Sequence, residues 1–394
     1  MNILVLNAGS SSLKYQVINM PAQEVKCVGL IERIGLDDAI FTHEKGNEKY
    51  SEIQAIKSHT TGLEKIAAIL LDPKKGVLNS VDDIKAVGHR VVHGGNKFSK
   101  PTLINQEVKD NIRNLFDLAP LHNPANLMGI EVAETIFTAA KQIAIFDTAF
   151  HQTMPKVAYQ YAIPNIYLEK YKIRAYGFHG TSHKYVSEKA IEFLNKKSSK
   201  IITIHLGNGC SMSAIKNGES IENSLGFGPM NGLVMGTRAG DIDQSVIFFL
   251  MKNLKMTLEE ANNLVQKESG MKGLTGYSDM REISEKAEKG DKNCQDALNL
   301  AGYRIRKYIG SYSAILNGLD AIVFTAGIGE NSAIMRALAC ENLEFLGIEL
   351  DTEKNKIRSK EIREIQSETS KVKILVIPTN EEIEIAKQSY QLLK

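Results

Sequence analysis

The chain alternates short apolar runs with longer amphipathic stretches. Six of the apolar runs are rich in β-branched residues and predict β-strands. They cover residues 3–6, 87–92, 143–146, 201–206, 321–325 and 374–377. The clearest helical pattern covers residues 294–317 and stops at Gly318. Strands separated by helices predict an α/β fold.

Several predicted strands end directly in Gly, Asn, Asp or His, at the sheet edge where α/β proteins bind ligands. Two of these ends are similar: residues 6–11 read LNAGSS, and residues 206–211 read LGNGCS, 200 positions later. Gly lets backbone N–H groups approach an anion, and Ser hydroxyls add donors. Either turn alone is typical of an ordinary hairpin. Together they predict a duplicated fold that grips phosphate.

A third Gly-rich turn, residues 327–331, follows a predicted strand and precedes a helix expected to begin near Ser332. The free N–H groups of a helix N-terminus suit a phosphate. The P-loop pattern G-x-x-x-x-G-K-[ST] and the dinucleotide pattern G-x-G-x-x-G are both missing from the sequence. Any phosphate site is therefore of another type.

Charge and cysteine content restrict the partners. The 48 Lys and Arg residues nearly balance the 46 Asp and Glu residues, which argues against nucleic acid or anionic lipid. The sequence has neither an apolar run long enough to cross a membrane nor an export signal, so we expect a cytoplasmic protein with a small-molecule substrate. The four scattered cysteines predict reduced thiols rather than disulfides or a zinc site.

Domain limits are inferred from the duplication, because no Pro- or Ser-rich linker divides the chain. We expect a first domain of residues 1–150, onto which residues 385–394 fold back, and a second domain of residues 151–384. The most polar segments, residues 42–58 and 351–371, are interpreted as solvated insertions.

Eight sequence blocks follow one another from the first residues to the last: 7–14 (NAGSSSLK), 89–95 (HRVVHGG), 146–151 (FDTAFH), 177–183 (GFHGTSH), 205–209 (HLGNG), 236–243 (GTRAGDID), 326–331 (AGIGEN) and 378–382 (PTNEE). In this order they resemble the acetate and propionate kinase family, which belongs to the superfamily of sugar kinases, actin and heat-shock ATPases. The resemblance implies duplicated actin-like (ribonuclease H-like) βββαβαβα domains with an active-site cleft between them. This agrees with the repeat found in the residues themselves.

The resemblance also implies an activity: reversible, Mg²⁺-dependent transfer of the γ-phosphoryl group of ATP to acetate, giving acetyl phosphate and ADP, in a homodimer. Propionate or another short-chain carboxylate is the alternative acceptor, because a pocket distinguishes one methylene by only about 1 to 3 kcal/mol. A non-catalytic nucleotide switch on the same fold is an alternative from another class.

Four residues match the family's catalytic residues: Arg90, Asp147, His179 and Arg238. Guanidinium groups suit oxyanions because they bind two oxygens at once, although most arginines in a sequence form surface ion pairs. Acetate is already ionised at neutral pH, so Asp147 is expected to orient groups rather than to remove a proton. A zinc pair of His179 with His183 is disfavoured, because the Glu of H-E-x-x-H is missing.

The family's binding residues are carried over in the same way. Asn7 and Glu381 match ligands of Mg²⁺, for which Mn²⁺ is an alternative. His122 matches a histidine near the active site. The acetate methyl group is expected against Val92, Leu121, Phe178 and Pro229. The expected ATP contacts are Lys14, His205, Leu206, Gly207, Asn208, Gly209, Asp279, Met280, Arg281, Gly327, Ile328, Gly329, Glu330 and Asn331.

Overall fold

A computed structural model describes residues 1–394. The chain divides into two compact units: Met1–Ala149 with Asn380–Lys394, and Phe150–Thr379. The first boundary lies one residue before the expected one, and the return to the first unit begins at Asn380 rather than at residue 385. Asn380 caps the last helix by accepting a hydrogen bond from Ile383 N, so the whole helix returns as one element.

The structure contains strands β1 Asn2–Ala8, β2 Ser12–Asn19, β3 Glu24–Glu32, β4 Ala39–Lys45, β5 Glu48–Gln54, β6 Ile84–Val91, β7 Thr102–Leu103, β8 Lys141–Phe146, β9 Lys200–Leu206, β10 Cys210–Lys216, β11 Glu219–Asn223, β12 Ala321–Thr325, β13 Arg363–Glu364 and β14 Lys373–Val376. The helices are α1 His59–Leu70, α2 Gln106–Asn114, α3 Asn123–Ile136, α4 Lys156–Tyr159, α5 Asn165–Glu169, α6 Gly180–Leu194, α7 Gln244–Asn253, α8 Leu258–Lys267, α9 Gly270–Thr275, α10 Met280–Glu288, α11 Lys292–Leu316, α12 Ala326–Asn331, α13 Ala333–Cys340, α14 Thr352–Lys356 and α15 Glu381–Leu392. None of the helices is both long and apolar enough to cross a bilayer.

The sheet of the first unit has eight strands in the order β5-β4-β3-β2-β1-β6-β8-β7. Strand β1 is antiparallel to β2 and parallel to β6, which is parallel to β8. Val87 packs in the core with α1 and α3, whereas a side chain at the next residue, Gly88, would collide with Ile385 of α15. Successive strand residues face opposite sides, so α15 covers the second face and Gly88 allows its close approach.

The sheet of the second unit has six strands in the order β11-β10-β9-β12-β14-β13. Helix α6 packs against β9 and β12 through Val186 and Ala190. Strands β9, β12 and β14 are parallel neighbours, as are β1, β6 and β8 in the first unit. The order β11-β10-β9-β12-β14 therefore repeats β3-β2-β1-β6-β8, which confirms the predicted duplicated α/β fold.

Residues 42–58, expected to be a solvated insertion, are largely exposed but have regular structure. Most of this segment belongs to the hairpin β4–β5, which extends the first sheet. Phe41 and His43 of β4 point inward, and His43 Nδ1 lies 2.6 Å from the hydroxyl of Tyr15. β5 has no fully buried residue. Its backbone hydrogen-bonds to β4, so this edge strand forms without apolar side chains and its sequence looks polar. Residues 351–371 likewise contain α14 and β13. All four cysteines are buried free thiols, as expected.

Candidate active site

In the first unit, the ends of two parallel strands bring a guanidinium and a carboxylate together. Arg90 lies near the end of β6, and Asp147 follows β8 directly. Arg90 Nη2 donates to Asp147 Oδ2 at 2.9 Å, and Arg90 Nε lies 3.6 Å from Glu381 Oε2 at the start of α15. Asp147 is 1% exposed, and its N–H donates to Val91 O. Three residues that are far apart in the sequence therefore form one buried charge cluster.

Negative charge exceeds positive charge in this cluster. Lys14 of β2 lies 2.5 Å from Glu382, which brings a third carboxylate next to Glu381. Burial, followed by the charges of Asp147 and Glu382, raises the pKa of Glu381, although Arg90 and Lys14 oppose the shift. Burial lowers the pKa of Arg90, but the charges of Asp147 and Glu381 outweigh it and raise that pKa. A cation bound here would relieve the repulsion between the carboxylates.

Only two residues, Asn7 and Glu381, are expected to bind the metal ion. Asn7 lies near the end of β1, and Glu381 begins α15, which packs against β1. The structure has no group of three His, Cys, Asp or Glu residues arranged to hold a metal ion. Mg²⁺ in kinases keeps several waters and uses one or two carboxylates together with substrate phosphates. The excess of carboxylates around Glu381 fits a hydrated Mg²⁺ ion.

The first Gly/Ser turn is held by side chains that sequence reasoning did not identify. Nε2 of His59 donates to Gly9 O at 2.7 Å. Asn126 of α3 donates to Ala8 O and accepts from Val92 N, and Asn123 accepts from His93 N. These bonds tie the ends of β1 and β6 to the start of α3. The only sequence signal was a pair of Asn residues three positions apart at the start of a helix.

The residues expected around the acetate methyl group are divided between the two units. Val92 is buried directly after β6, whereas Leu121 is 53% exposed just before α3. His122 is the N-cap residue of α3, but its side chain does not cap the helix. In the second unit Phe178 is buried and Pro229 is partly buried. Of these four residues, Val92 is nearest in sequence to Arg90, two positions away.

In the second unit, His179 occupies a strained position before α6. Its φ angle is 55°, a left-handed conformation that is uncommon for residues other than Gly. Its ring stacks on that of His205 at 4.3 Å between centroids. His179 Nδ1 lies 2.8 Å from Ser211 Oγ, and His205 Nδ1 lies 2.9 Å from Ser182 Oγ. Packing and hydrogen bonds thus fix both rings.

Gly209 marks the place where His179 and Arg238 converge. A Cβ atom at Gly209 would lie 3.4 Å from His179 Nε2 and 3.8 Å from Arg238 Nη1. Arg238 Nη1 also donates to Pro229 O at 3.0 Å. Burial lowers the pKa of Arg238, but an arginine keeps its charge in proteins. An imidazole and a guanidinium therefore border a space that a larger residue at 209 would fill.

Asp241 holds the loop that carries Arg238. It belongs to the sequence block 236–243, for which no role of Asp241 was predicted. Asp241 accepts hydrogen bonds from Gly232 N and from the hydroxyl of Tyr308, each at 2.7 Å. Tyr308 belongs to the long helix α11. A rigid helix thus holds the loop on which the guanidinium depends.

The expected nucleotide contacts, apart from Lys14, lie in the second unit. His205, Leu206, Gly207, Asn208 and Gly209 form the end of β9 and the turn into β10, where Gly236 N donates to Asn208 O. Residues 327–331 lie in helix α12 rather than in an open turn, and the next helix, α13, begins after Ser332. The buried Arg336 donates to the carbonyls of Gly329 and Glu330.

Asp279, Met280 and Arg281 lie at the start of α10. Asp279 caps the helix by accepting from Arg281 N, and the two side chains form an ion pair at 2.6 Å. These bonds lower the pKa of Asp279 to about 2. Arg281 is largely exposed. The local contacts explain the pair as a helix cap.

The repeated strand order is that of the duplicated actin-like ATPase fold, and arginine, histidine and carboxylate side chains lie near the strand ends of its two units. The sequence profile of the acetokinase family matches residues 2–387. The chain belongs to the acetokinase family.

Similar proteins agree with this assignment. The chain is 61% identical to the acetate kinase of Flavobacterium johnsoniae over 394 residues, covering 100% of both proteins. Its structure resembles that of Porphyromonas gingivalis acetate kinase, with a TM-score of 0.94, 42% identity and 100% coverage of both chains. It also resembles a propionate kinase from Francisella tularensis, with a TM-score of 0.93, 42% identity and 98% coverage of both chains.

Proposed function

We propose that the protein is a reversible, Mg²⁺-dependent acetate kinase, which transfers the γ-phosphoryl group of ATP directly to acetate and gives acetyl phosphate and ADP. The observation that carries the proposal is the mostly buried Arg90, which donates to Asp147 and lies 3.6 Å from Glu381 at the strand ends. Its fork is suited to a carboxylate. Family membership and the full-length similarity to acetate kinases support the same conclusion.

The proposed chemistry depends on charge rather than on proton removal. Acetate is anionic at neutral pH and attacks a phosphoryl group that is also anionic. Phosphoryl transfer is catalysed by positioning and by neutralisation of charge. Arg90 is assigned to acetate, whereas Arg238 and His179 are assigned to the transferring group. Mg²⁺, when bound, supplies charge neutralisation at the phosphates, and Asn7 and Glu381 are the residues that would hold it.

ATP is proposed as the phosphoryl donor. Gly209 lies in the turn after β9, and α12 begins directly after β12. Glycines at such turns let phosphates approach the backbone N–H groups closely. Lys14 is assigned to the phosphates. Asp279 and Arg281 are assigned to the nucleoside, since they lie at an exposed helix start.

Propionate is the closest alternative acceptor, since one similar structure is a propionate kinase. A non-catalytic nucleotide switch is the alternative from another class. Such a switch would have no use for Arg90 held at a strand end by two carboxylates. This arrangement favours a catalyst.

The variant Arg90→Ala tests the carboxylate site. We expect kcat/KM for acetate to fall by on the order of 10² to 10³, because a fixed donor pair is lost, while the dissociation constant of ATP changes less than about twofold. Arg90→Lys keeps the charge without the fork and should remain folded but impaired. Arg113→Ala, at a half-exposed surface pair, is the matched control. Wild-type kinetics in Arg90→Ala would contradict the assignment.

The variant Val92→Ala tests acid selection. Val92 is buried, and removing two methyl groups there should enlarge the proposed acid pocket. We expect kcat/KM for propionate relative to acetate to rise by roughly tenfold, which corresponds to about one methylene of discrimination. Steady-state kinetics with acetate, propionate and butyrate measure the ratio. An unchanged ratio would exclude Val92 from the acid pocket.

The variant Asp147→Asn tests the role of the buried carboxylate. If Asp147 orients Arg90, the amide should lower kcat by about 10- to 100-fold and leave the shape of the pH–rate profile unchanged, because no proton leaves acetate. Measuring kcat across the pH range compares the variant with the wild type. Selective loss of one limb of the profile would instead identify Asp147 as a general base.

A homodimer is proposed, with helix α7 at its interface. This helix buries none of its residues, and Phe248 and Phe249 are 69% and 56% exposed. Adjacent exposed aromatic side chains mark an interaction surface, and a second copy of the chain is the proposed occupant. Sedimentation velocity should give a dimer for the wild type and a shift towards monomer for Phe248→Glu. Phe345→Glu, at an isolated residue that is 80% exposed, should remain dimeric; a monomeric wild type would refute the proposal.

A further inference from the structure

A row of buried hydrogen bonds leads from strand β9 to His179. Thr203 Oγ1 lies 2.7 Å from His183 Nδ1, and His183 Nε2 lies 2.7 Å from Ser211 Oγ. Ser211 Oγ in turn lies 2.8 Å from His179 Nδ1. Thr203, His183 and Ser211 are completely buried. Water therefore does not compete for these hydrogen bonds. In each bond, one of the two side chains must donate a proton and the other must accept it.

The direction of the row is set at Thr203. The only hydrogen-bond partner of its hydroxyl is His183 Nδ1. A buried hydroxyl proton without an acceptor is costly, so Thr203 donates and His183 Nδ1 accepts. Burial, together with the charges of His151 and His205, holds the pKa of His183 well below its usual value, so the ring is neutral. Its single proton is therefore on Nε2 and is donated to Ser211 Oγ.

Ser211 determines the direction of the next hydrogen bond, to His179. Its oxygen accepts from His183, and the other ring atom within reach of its hydroxyl is His179 Nδ1. Ser211 therefore donates to Nδ1, and a histidine ring that accepts at Nδ1 carries its proton on Nε2. This is the atom that lies next to the space at Gly209, 3.4 Å from the position of a Cβ atom.

We propose that Thr203, His183 and Ser211 form a donor relay that fixes His179 in the tautomer with its proton on Nε2. The consequence for catalysis rests on the proposed function: a neutral imidazole presents an N–H group, rather than a lone pair, to the transferring phosphoryl oxygens. Arg238 already supplies positive charge at the same space. The relay residues are positioning residues, since they act through His179.

The direct test is the protonation of the ring nitrogens in the unliganded, full-length protein. We would record ¹⁵N–¹H spectra of the protein labelled in its histidines and assign the His179 and His183 signals from their loss in His179→Gln and His183→Gln. The relay predicts that each ring carries its proton on Nε2. A proton on Nδ1 of either ring would overturn the proposal. The spectra need no substrate, so this outcome is independent of whether the protein phosphorylates acetate.

Ser211→Ala removes the central link. We expect His179 to become a mixture of tautomers and kcat to fall by about tenfold, equivalent to one lost hydrogen bond, with KM values for acetate and ATP within about twofold of wild type. Ser211→Thr, which keeps a hydroxyl, should retain the Nε2–H tautomer.

Ser213→Ala is the matched control. Ser213 is a completely buried serine of the same strand, hydrogen-bonded to Ser220 and Glu222 instead of to a relay histidine. The Ser213→Ala variant should lose about as much thermal stability as Ser211→Ala, without a change in the His179 tautomer or in kcat. If Ser211→Ala leaves the His179 tautomer unchanged, or if Ser213→Ala lowers kcat equally, the relay is refuted.

Discussion

The buried ion pair between Arg90 and Asp147 is the interaction on which the candidate site depends. It exists because β6 and β8 are parallel neighbours whose carboxyl ends meet. Glu381 joins it only because helix α15 returns to this sheet after the second unit is complete. A buried ion pair is weak support for stability, since desolvation offsets much of the attraction. Its benefit is orientation, because the carboxylates of Asp147 and Glu381 hold the guanidinium at the strand end.

The two units use one topology for different chemistry. In the first unit the strand ends carry carboxylates and a guanidinium, together with the side chains of His59 and Asn126 that hold the Gly/Ser turn. In the second unit they carry stacked imidazoles and a glycine that keeps space open beside Arg238. The strained backbone of His179 is retained there by ring stacking and hydrogen bonds. The two units thus share a strand order and differ in the side chains at the strand ends.

The sequence predicted the parts of the fold that follow from local pattern. The six apolar runs are strands, and the long helical pattern is α11. The hairpin β4–β5 was missed because an edge strand with a polar surface resembles a loop, and α12 was missed because its glycines favour a turn. Asn126 was missed because its partner, Ala8, is 118 positions away. Ser211 and Thr203 are ordinary strand residues until the fold brings histidines to them.

The candidate site was predicted mainly from family resemblance. Arg90 and Asp147 are separated by 57 positions, and nothing in their spacing indicates an ion pair. Read alone, Arg90 is typical of a surface residue, yet its side chain is mostly buried. Asp279 and Arg281 show the opposite case, because they form the exposed pair that local sequence suggests.

The most direct measurement follows product formation by the wild-type protein with ATP, Mg²⁺ and acetate. Hydroxylamine converts an acyl phosphate to a hydroxamate, and ADP release is recorded in the same reaction. A kinase that phosphorylates acetate directly should give one hydroxamate for each ADP, dependent on acetate, with propionate used less well and butyrate least. ADP release without hydroxamate, or nucleotide binding without turnover, would contradict direct transfer to a carboxylate.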